Sequence, residues 1–335
     1  MKIVIRSLII ILATAAFIAV NLLLINKMTS VNGSSTKLKP KIVLISHVYS
    51  NPYWNYVRLG AEKAAGERGA VIDFQGPDVP DAGEGIKLIN MAYSARVSGI
   101  ITYIQDQNRY NDVINAVVKS GMPLVTIDSD AEKSNRLAYV GTDNVAAGRT
   151  GAKEVIRQIG TKGKIAVIMG GKDVKNQVER VSGFKEYVEK NSNLEVVDVQ
   201  SSNAFLLEAE IAANHILDND KDIKALFCTS ALDGTGAEKA VGSLGLDGKV
   251  KIICFDDLPE TLGKIKEGKI AATIVQKPFY MGYKAVQIIM DKIEGKFEGR
   301  GKVFLTGVEV VNISNIETYI KMQGEGLSEN RQPEK

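Results

Sequence analysis

Several residues that could bind a ligand directly follow apolar, strand-like runs of this sequence. They are Ser50-Asn51-Pro52-Tyr53-Trp54, Tyr103 with Gln105, Asp128, Ser230 and Asp256. Aromatic rings stack on apolar ligand faces, and carboxylates accept hydrogen bonds from adjacent hydroxyl groups. In open parallel sheets, ligands bind outside the carboxyl ends of the strands. The set therefore predicts a site for a small polyhydroxy ligand such as a sugar.

The sequence contains little that supports catalysis, a metal site or a cofactor. His47 sits inside a predicted strand and His215 within a predicted helix, and neither is paired with a nucleophile. Gly170-Gly171-Lys172 lacks the spacing of a phosphate-binding loop, and no dinucleotide fingerprint follows a strand. Asp256-Asp257 has no further metal ligands clustered around it. We expect a binding protein without metal or cofactor, and an enzyme on the same scaffold is the remote alternative.

The composition is that of a globular protein. The 335 residues are 45% hydrophobic and 24% charged, with a net charge of +3. These values exclude a wholly disordered or disulfide-scaffold chain, and they give no reason to expect nucleic acid as a partner. At ~150 residues per domain the length predicts two domains. Cys228 and Cys254 lie in apolar strands and are predicted to be buried thiols.

The body of the chain alternates short apolar runs with stretches whose apolar residues recur at helical spacing. The predicted strands are 41–48, 70–76, 99–106, 123–130, 164–171, 194–202, 224–231 and 251–258. The predicted helices are 53–69, 83–97, 110–121, 177–191, 208–220 and 234–245; residues 268–295 add a strand and a long helix, and 304–313 a final strand. This alternation predicts parallel sheets covered on both faces. The two series, bridged by residues 135–163, predict an α/β protein with two doubly wound lobes.

The amino end carries a long apolar segment. After a basic start with Lys2 and Arg6, residues 8–25 provide 18 positions without a charge. As a helix they span ~27 Å, which is enough for a hydrocarbon core. Ala13-Thr14-Ala15 resembles a signal-peptide cleavage site but falls in the middle of the run. We therefore predict a transmembrane anchor over residues 1–27, with a cleaved signal peptide as the alternative.

Two polar stretches flank the body of the chain. Residues 28–40 are rich in Ser, Gly and Asn and predict a flexible linker, and residues 321–335 predict a disordered tail. No cysteine near the predicted membrane exit could carry a lipid. The expected location is the cell membrane, crossed once, with the binding domain outside the cell.

Six short motifs, in order along the chain, resemble those of a known family. They are SNPYW at 50–54, TIDSD at 126–130, TDN at 142–144, RVSGF at 180–184, FDDLP at 255–259 and AATIVQKP at 271–278. Together they are similar to the periplasmic sugar-binding proteins of the ribose-binding protein group, over about residues 41–318. Repressor effector domains share that fold but would follow a DNA-binding helix-turn-helix, and this chain has an apolar segment there instead.

The resemblance implies an aromatic platform for the sugar ring. Asn51 would hydrogen-bond the ligand, and Tyr53 and Trp54 would pack on it from one side. Phe205 would stack on the opposite face, although a core position for this ring is equally consistent with its neighbours.

The resemblance also implies a ring of polar contacts. Asp128 would bind hydroxyls from the first lobe and Arg180 from the second, while Asp256 and Gln276 would close the ring, with Gln276 near the hinge. Structural alternatives remain open at this point. Either aspartate could cap the next helix, and Arg180 could pair with a neighbouring acidic residue such as Glu179 or Asp173.

Three positions depart from the ribose-binding pattern. Tyr103 and Ser230 each stand where the family has an asparagine, and Ser129 stands where it has an arginine. These changes alter which hydroxyls the site can satisfy, so ribose itself is not specified. The expected ligand is a pentose such as xylose or ribose, or a hexose.

The family architecture implies that both lobes are discontinuous and joined by a three-segment hinge. One lobe would take residues 41–144 and 277–305, and the other residues 145–276 and 306–320. Such lobes close around a ligand by hinge motion. A binding protein with a tether in place of a lipid anchor resembles sugar-sensing proteins that work with sensor histidine kinases. The resemblance therefore implies a sugar-sensing receptor that partners a membrane sensor histidine kinase. The alternative is a binding component that delivers sugar to an ABC permease.

Overall fold

The computed structural model describes residues 14–23 and 38–329, and the body from Pro40 onward is a unit distinct from the amino-terminal residues. Residues 14–23 form helix α1, in which the Asn21 side chain donates a hydrogen bond to the Phe17 carbonyl at 2.8 Å. Within the described residues, no helix is both long and apolar enough to cross a bilayer. Much of the predicted anchor and linker, and residues 330–335 of the predicted tail, lie outside the described residues.

The first sheet has six strands, all parallel. They are β1 (Lys41–Ile45), β2 (Val71–Gln75), β3 (Gly99–Thr102), β4 (Leu124–Ile127), β5 (Ala138–Thr142) and β11 (Lys302–Thr306). Their spatial order is β11-β5-β4-β3-β1-β2. The helices that cover this sheet are α2 (Tyr53–Glu67), α3 (Ala82–Ser94), α4 (Gln107–Lys119) and α10 (Pro278–Ile293).

Strand β1 shows why the strands of this sheet have continuous apolar sequences. Ile42 and Leu44 pack with α2 and α10, whereas Val43 and Ile45 pack with α3 and α4. Successive side chains of a strand point to opposite faces of the sheet, and here helices cover both faces. A strand buried on both sides has to be apolar at every position, so its sequence does not alternate.

The second sheet repeats this arrangement with one reversed strand. Its strands are β6 (Lys162–Met169), β7 (Asn193–Ser201), β8 (Ile223–Cys228), β9 (Lys251–Phe255), β10 (Ala272–Val275) and β12 (Glu309–Asn312). Their order is β12-β10-β9-β8-β6-β7, and only the β10–β12 pair is antiparallel. The remaining helices are α5 (Asn144–Ile159), α6 (Lys175–Asn191), α7 (Leu206–Asn219), α8 (Ala231–Ser243), α9 (Pro259–Lys266) and α11 (Ile316–Glu329). Cys228 and Cys254 are buried free thiols in this lobe, as predicted.

The described chain passes between the two sheets three times. It leaves the first sheet after β5, returns to it after β10, and leaves it again between β11 and β12. The protein is therefore an α/β protein of two lobes with largely parallel sheets. The residue-level lobe boundaries given above stay a prediction.

Three elements were not expected from the sequence. Strand β5 and helix α5 lie in the stretch predicted to be a bridge, and helix α9 lies between the predicted strand 251–258 and the stretch 268–295. Strand β5 contains Gly141 and Thr142, which interrupt its apolar run. Helix α5 buries several small residues, such as Ala147, Gly148 and Gly151, beside Val155. Glycine and alanine add little to an apolar pattern, so part of the buried face of α5 is not marked in the sequence.

Two further predictions need correction at the carboxyl end. Residues 304–313 do not form one strand, because the chain crosses from β11 in one sheet to β12 in the other within this stretch. The predicted tail at 321–335 begins inside helix α11, which continues to Glu329. Composition alone does not reveal that Ile316 and Tyr319 bury one face of this helix against the second lobe.

Candidate functional site

A cleft lies between the carboxyl ends of the strands of the two sheets. Its lining residues are His47, Asn51, Tyr53, Trp54, Tyr103, Asp128, Gly170, Val174, Asn176, Gln177, Arg180, Ala204, Ser230, Ala231, Leu232, Asp256 and Gln276. The cleft holds ≈ 590 Å³ of empty space, part of it open to solvent. The predicted ligand-binding residues that line this cleft are Asn51, Tyr53, Trp54, Tyr103, Asp128, Arg180, Ser230, Asp256 and Gln276. Ser50, Pro52, Gln105 and Phe205 do not line it, and contact of the lining residues with a ligand stays a prediction.

Two aspartates occupy matching places in the two lobes. Asp128 follows β4 and Asp256 follows β9, with backbone φ angles of 65° and 66°. A non-glycine residue in this left-handed region is uncommon and tends to occur at functional sites. Neither aspartate caps a helix, since strand β5 follows Asp128 and Leu258 is the residue that precedes α9. Their carboxylates therefore serve the cleft.

Hydrogen bonds fix the orientation of both carboxylates. Asp128 accepts from the Tyr53 hydroxyl at 2.8 Å and from Asn176 Nδ2 at 2.9 Å, and Asp256 accepts from Gln276 Nε2 at 2.8 Å. Burial raises the pKa of Asp128, and it raises the pKa of Asp256 to about 7, while the Arg180 guanidinium opposes both shifts. The cleft thus contains acceptors that are costly to ionise without further hydrogen-bond donors.

Arg180, on α6, is buried at 2% exposure. Its Nε donates to Asn144 Oδ1 at 3.0 Å and its Nη1 to the Thr229 carbonyl at 2.8 Å, and the guanidinium lies 4.3 Å from the centre of the Phe255 ring. Nη2 is buried without a hydrogen-bond partner among the described residues. An unpaired buried donor of a charged group is unfavourable, so this atom is available for a ligand oxygen. Among the described residues Arg180 forms no ion pair with Glu179 or Asp173, the two partners that the sequence left open.

Aromatic rings of the first lobe form a continuous wall. Tyr53 meets Trp54 edge-on at 5.6 Å between centroids, and Trp54 meets Tyr103 edge-on at 5.5 Å. The Tyr103 hydroxyl donates across the cleft to Asn176 Oδ1 at 3.5 Å. Asn51 Oδ1 accepts from the Tyr53 backbone N–H at 3.1 Å, which holds the loop that leads into α2. The wall offers an apolar surface on which a sugar ring can stack.

Phe205 requires a correction. Its side chain is 40% exposed and does not line the cleft, whereas Ala204 does. Asn203 and Ala204 both have left-handed backbones, with φ angles of 50° and 60°, which turn the chain so that Phe205 leads into α7 outside the cleft. Ser230 does line the cleft and also caps α8, because its Oγ accepts from the Asp233 N–H.

Three polar residues of the cleft were missed by the sequence interpretation. Asn176 and Gln177 lie in the first turn of α6, several residues beyond the end of β6. They were not predicted because the candidate residues were taken from the ends of strands. His47 was placed inside a strand, but β1 ends at Ile45. The sequence signal for His47 was its place as a polar residue two positions past the apolar run of β1.

Comparisons with known proteins agree with this geometry. The chain matches the family model for a periplasmic binding protein domain over residues 42–297. It is 27% identical over 268 residues to the ribose import binding protein RbsB of Bacillus subtilis, which is 79% of this chain and 85% of that protein.

Solved structures are also similar. A chain of the XylFII–LytSN complex is 57% identical with a TM-score of 0.79, over 83% of this chain and 99% of that chain. GanP, a glucose-galactose binding protein from Geobacillus stearothermophilus, is 35% identical with a TM-score of 0.79 over the same shares. The family match spans most of the chain, and the relatives with named ligands bind sugars. The chain therefore belongs to the periplasmic binding protein family, as a sugar-binding member related to the ribose-binding proteins.

Proposed function

We propose that this chain is an extracytoplasmic receptor for one neutral monosaccharide, which closes its lobes on the sugar and signals to a membrane sensor histidine kinase. The ligand is a pentose such as xylose or ribose, or a hexose. One observation carries the sugar assignment: two buried carboxylates and a guanidinium with an unpaired donor share a cleft with an aromatic wall. Hydroxyl groups donate to carboxylates and accept from guanidinium, so a polyhydroxy ring satisfies both.

Lobe closure follows from where these groups are anchored. Asp128 and the aromatic wall belong to the first lobe, whereas Arg180 and Asp256 belong to the second. A sugar that pairs with all of them contacts both lobes at once. It therefore binds best to the conformation in which the lobes face each other closely, and it shifts the population toward that state.

The signalling part of the proposal is supported by similarity to a chain solved in the XylFII–LytSN complex. That relative assembles with a second protein. We expect a partner of this chain to bind the surface that the two lobes present when they are closed. The apolar residues 8–25 would hold this receptor on the membrane beside its partner. Delivery of sugar to an ABC permease is the second candidate, because another relative is named an import binding protein.

The sugar assignment is tested by calorimetric titration of the full-length chain with xylose, ribose, arabinose, glucose and galactose. We expect micromolar or tighter binding of one sugar. Arg180→Met should weaken that binding roughly 100-fold, because charge-assisted hydrogen bonds to the ligand are lost. Arg149→Met is the matched control, since Arg149 is exposed and paired with Glu186 on the surface. No binding of any sugar by the wild-type chain would contradict the assignment.

The partner is tested by titrating LytSN with the full-length chain, with and without the sugar found above. We expect the sugar to change the affinity for LytSN, because it changes which lobe conformation is populated. Equal binding with and without sugar would contradict sensing and would favour delivery to a permease.

A further inference from the structure

The loop that follows β1 places the His47 side chain in the wall of the cleft. Backbone hydrogen bonds fix this loop on both sides of the histidine. The Ser46 N–H donates to the Gln75 carbonyl at 2.9 Å, and the Tyr49 N–H donates to the Pro77 carbonyl at 2.8 Å. The position of His47 is therefore set by the sheet edge and does not depend on a free loop.

The imidazole ring is held by aromatic packing. Its centroid lies 4.5 Å from that of Tyr103, with the two planes inclined by 32°. Tyr103 is itself anchored, because its N–H donates to the Ile45 carbonyl at 3.0 Å and its ring packs edge-on against Trp54. His47 thus continues the aromatic wall, and its ring nitrogens are held on a rigid support.

The Nε2 atom of His47 is buried and has no hydrogen-bond partner among the described residues. Burial also lowers the pKa of His47 to about 4, so the ring is uncharged at neutral pH. A neutral imidazole nitrogen either donates or accepts, depending on the tautomer. A hydroxyl group can do both, so it pairs with Nε2 in either tautomer, whereas an anionic ligand group gains no cation here.

We propose that His47 is a specificity-determining residue whose Nε2 hydrogen-bonds one hydroxyl of the bound neutral monosaccharide. This inference rests on the proposed sugar-binding function and adds a contact that none of the six family motifs contains. A sugar that lacks the hydroxyl would leave a buried nitrogen unpaired. A site built in this way discriminates strongly against such an analogue.

The test uses the full-length chain, two variants of His47 and a control. His47→Phe keeps an aromatic ring against Tyr103 and removes the nitrogen, whereas His47→Gln keeps a polar group. His215→Phe is the matched control, because His215 is exposed on α7. Each protein is titrated with the tightest-binding sugar of the xylose, ribose, arabinose, glucose and galactose panel, and with the singly deoxygenated analogues of that sugar.

We expect His47→Phe to weaken binding of the parent sugar about tenfold, and His47→Gln to weaken it less. One deoxy analogue should bind wild type and His47→Phe equally, because its missing hydroxyl is the one that Nε2 contacts. The other analogues should show the same loss as the parent sugar, and His215→Phe should match wild type throughout.

An equal loss for every analogue would show that the ring acts only through packing, and unchanged affinities would show no role at all; either result overturns the proposal. Thermal unfolding without sugar confirms that each variant is folded. If the wild-type chain binds no sugar, the sugar-binding function itself fails before any variant is compared. That outcome is distinct from a wild type that binds sugar with the same affinity as its His47 variants.

Discussion

At the scale of single residues, Asp128 and Asp256 combine a buried charge with an unusual backbone. A left-handed conformation outside glycine is unfavourable by about 1–3 kcal/mol, and the surrounding structure has to hold it. Each backbone N–H is held in the same way, by the Val140 carbonyl for Asp128 and the Ile274 carbonyl for Asp256, both at 3.0 Å. Asparagine tolerates this backbone region better than alanine does, so Asp→Asn variants isolate the effect of charge.

We expect Asp256→Asn to stabilise the sugar-free protein more at pH 8 than at pH 5. Burial raises the pKa of Asp256 from 3.8 to about 7. Between these two pH values the folded state keeps a proton on Asp256 that the unfolded state has already released. Wild-type stability is therefore lost as the pH rises from about 4 to about 7, by a few kcal/mol at most, and the variant does not lose it. Thermal unfolding of both proteins at the two pH values measures the difference.

The exposed Asp173 supplies the control for that experiment, because Asp173→Asn removes a carboxylate from the surface. This variant should differ from wild type by the same small amount at both pH values. A stabilisation by Asp256→Asn that is no larger at pH 8 than at pH 5 would contradict a raised pKa for Asp256.

Single residues of the cleft were predictable from the sequence where they lie at the end of a predicted strand. Asp128 and Asp256 close apolar runs, and parallel strands end at the same edge of a sheet, so their convergence follows from the pattern. Phe205 could not be placed in this way. The direction of its side chain depends on the left-handed Asn203 and Ala204, and nothing in those residue types requires such a backbone.

At the scale of elements, close helix crossings decide where Arg180 sits. A Cβ atom on Gly148 of α5 would lie 2.0 Å from the Arg180 carbonyl oxygen, and one on Gly183 of α6 would lie 2.1 Å from that of Val145. The two helices therefore touch backbone to backbone. The first lobe has an equally close helix crossing at Gly60, where a Cβ would lie 1.9 Å from a carbonyl oxygen of α10.

We expect Gly148→Ala to weaken sugar binding about tenfold or more, although Gly148 does not line the cleft. The added methyl has to push α6 away from α5, and α6 carries Arg180 with its unpaired donor. Calorimetric titration with the tightest-binding sugar measures the loss. Gly66→Ala is the matched control, since a Cβ on this α2 glycine meets nothing within 4 Å.

Gly66→Ala should bind sugar as wild type does and should be slightly more stable, because alanine favours a helix over glycine. Unchanged affinity in a folded Gly148→Ala protein would show that the α5–α6 crossing does not position Arg180. The same glycines explain why α5 was not predicted. The buried face of this helix combines Gly148 and Ala152 with Val155, so large apolar residues mark only part of that face in the sequence.

At the scale of the whole molecule, polar contacts join the two lobes outside the aromatic wall. Lys175 at the start of α6 donates from Nζ to Glu132 Oε1 at 2.9 Å, and Glu132 lies between β4 and β5 of the first lobe. Such a pair exists only while the lobes approach each other. It therefore adds to the stability of the same conformation that the sugar selects.

We expect Glu132→Gln to weaken sugar binding about two- to fivefold. The pair is partly exposed, and ion pairs of this kind contribute about 0.2–1 kcal/mol, so removing one shifts the lobe equilibrium only slightly. Titration at low salt measures the effect, and high salt should reduce the gap between variant and wild type.

Glu186→Gln breaks the Arg149–Glu186 pair within the second lobe and serves as the control. Because this pair does not bridge the lobes, its loss should leave sugar affinity unchanged. An equal effect of the two substitutions would mean that Glu132 acts through net charge instead of through lobe closure.

Two lobes with parallel sheets were predictable from strand–helix alternation, but the crossings between them were not. Residues alone suggested one cut in the chain, because nothing in 304–313 marks the point at which β11 ends and β12 begins in the other sheet. The family resemblance implied the discontinuity. The pairing of β11 with β5 and of β12 with β10 is a long-range property that local spacing does not encode.

A crystal structure of the full-length chain bound to its tightest-binding sugar tests the proposed site most directly. We expect the sugar ring to pack on Trp54, with hydroxyls within hydrogen-bond distance of Asp128, Asp256 and Arg180 Nη2, so that both lobes contact one ligand. A sugar bound elsewhere, or held by one lobe alone, would show that this cleft does not close on a monosaccharide.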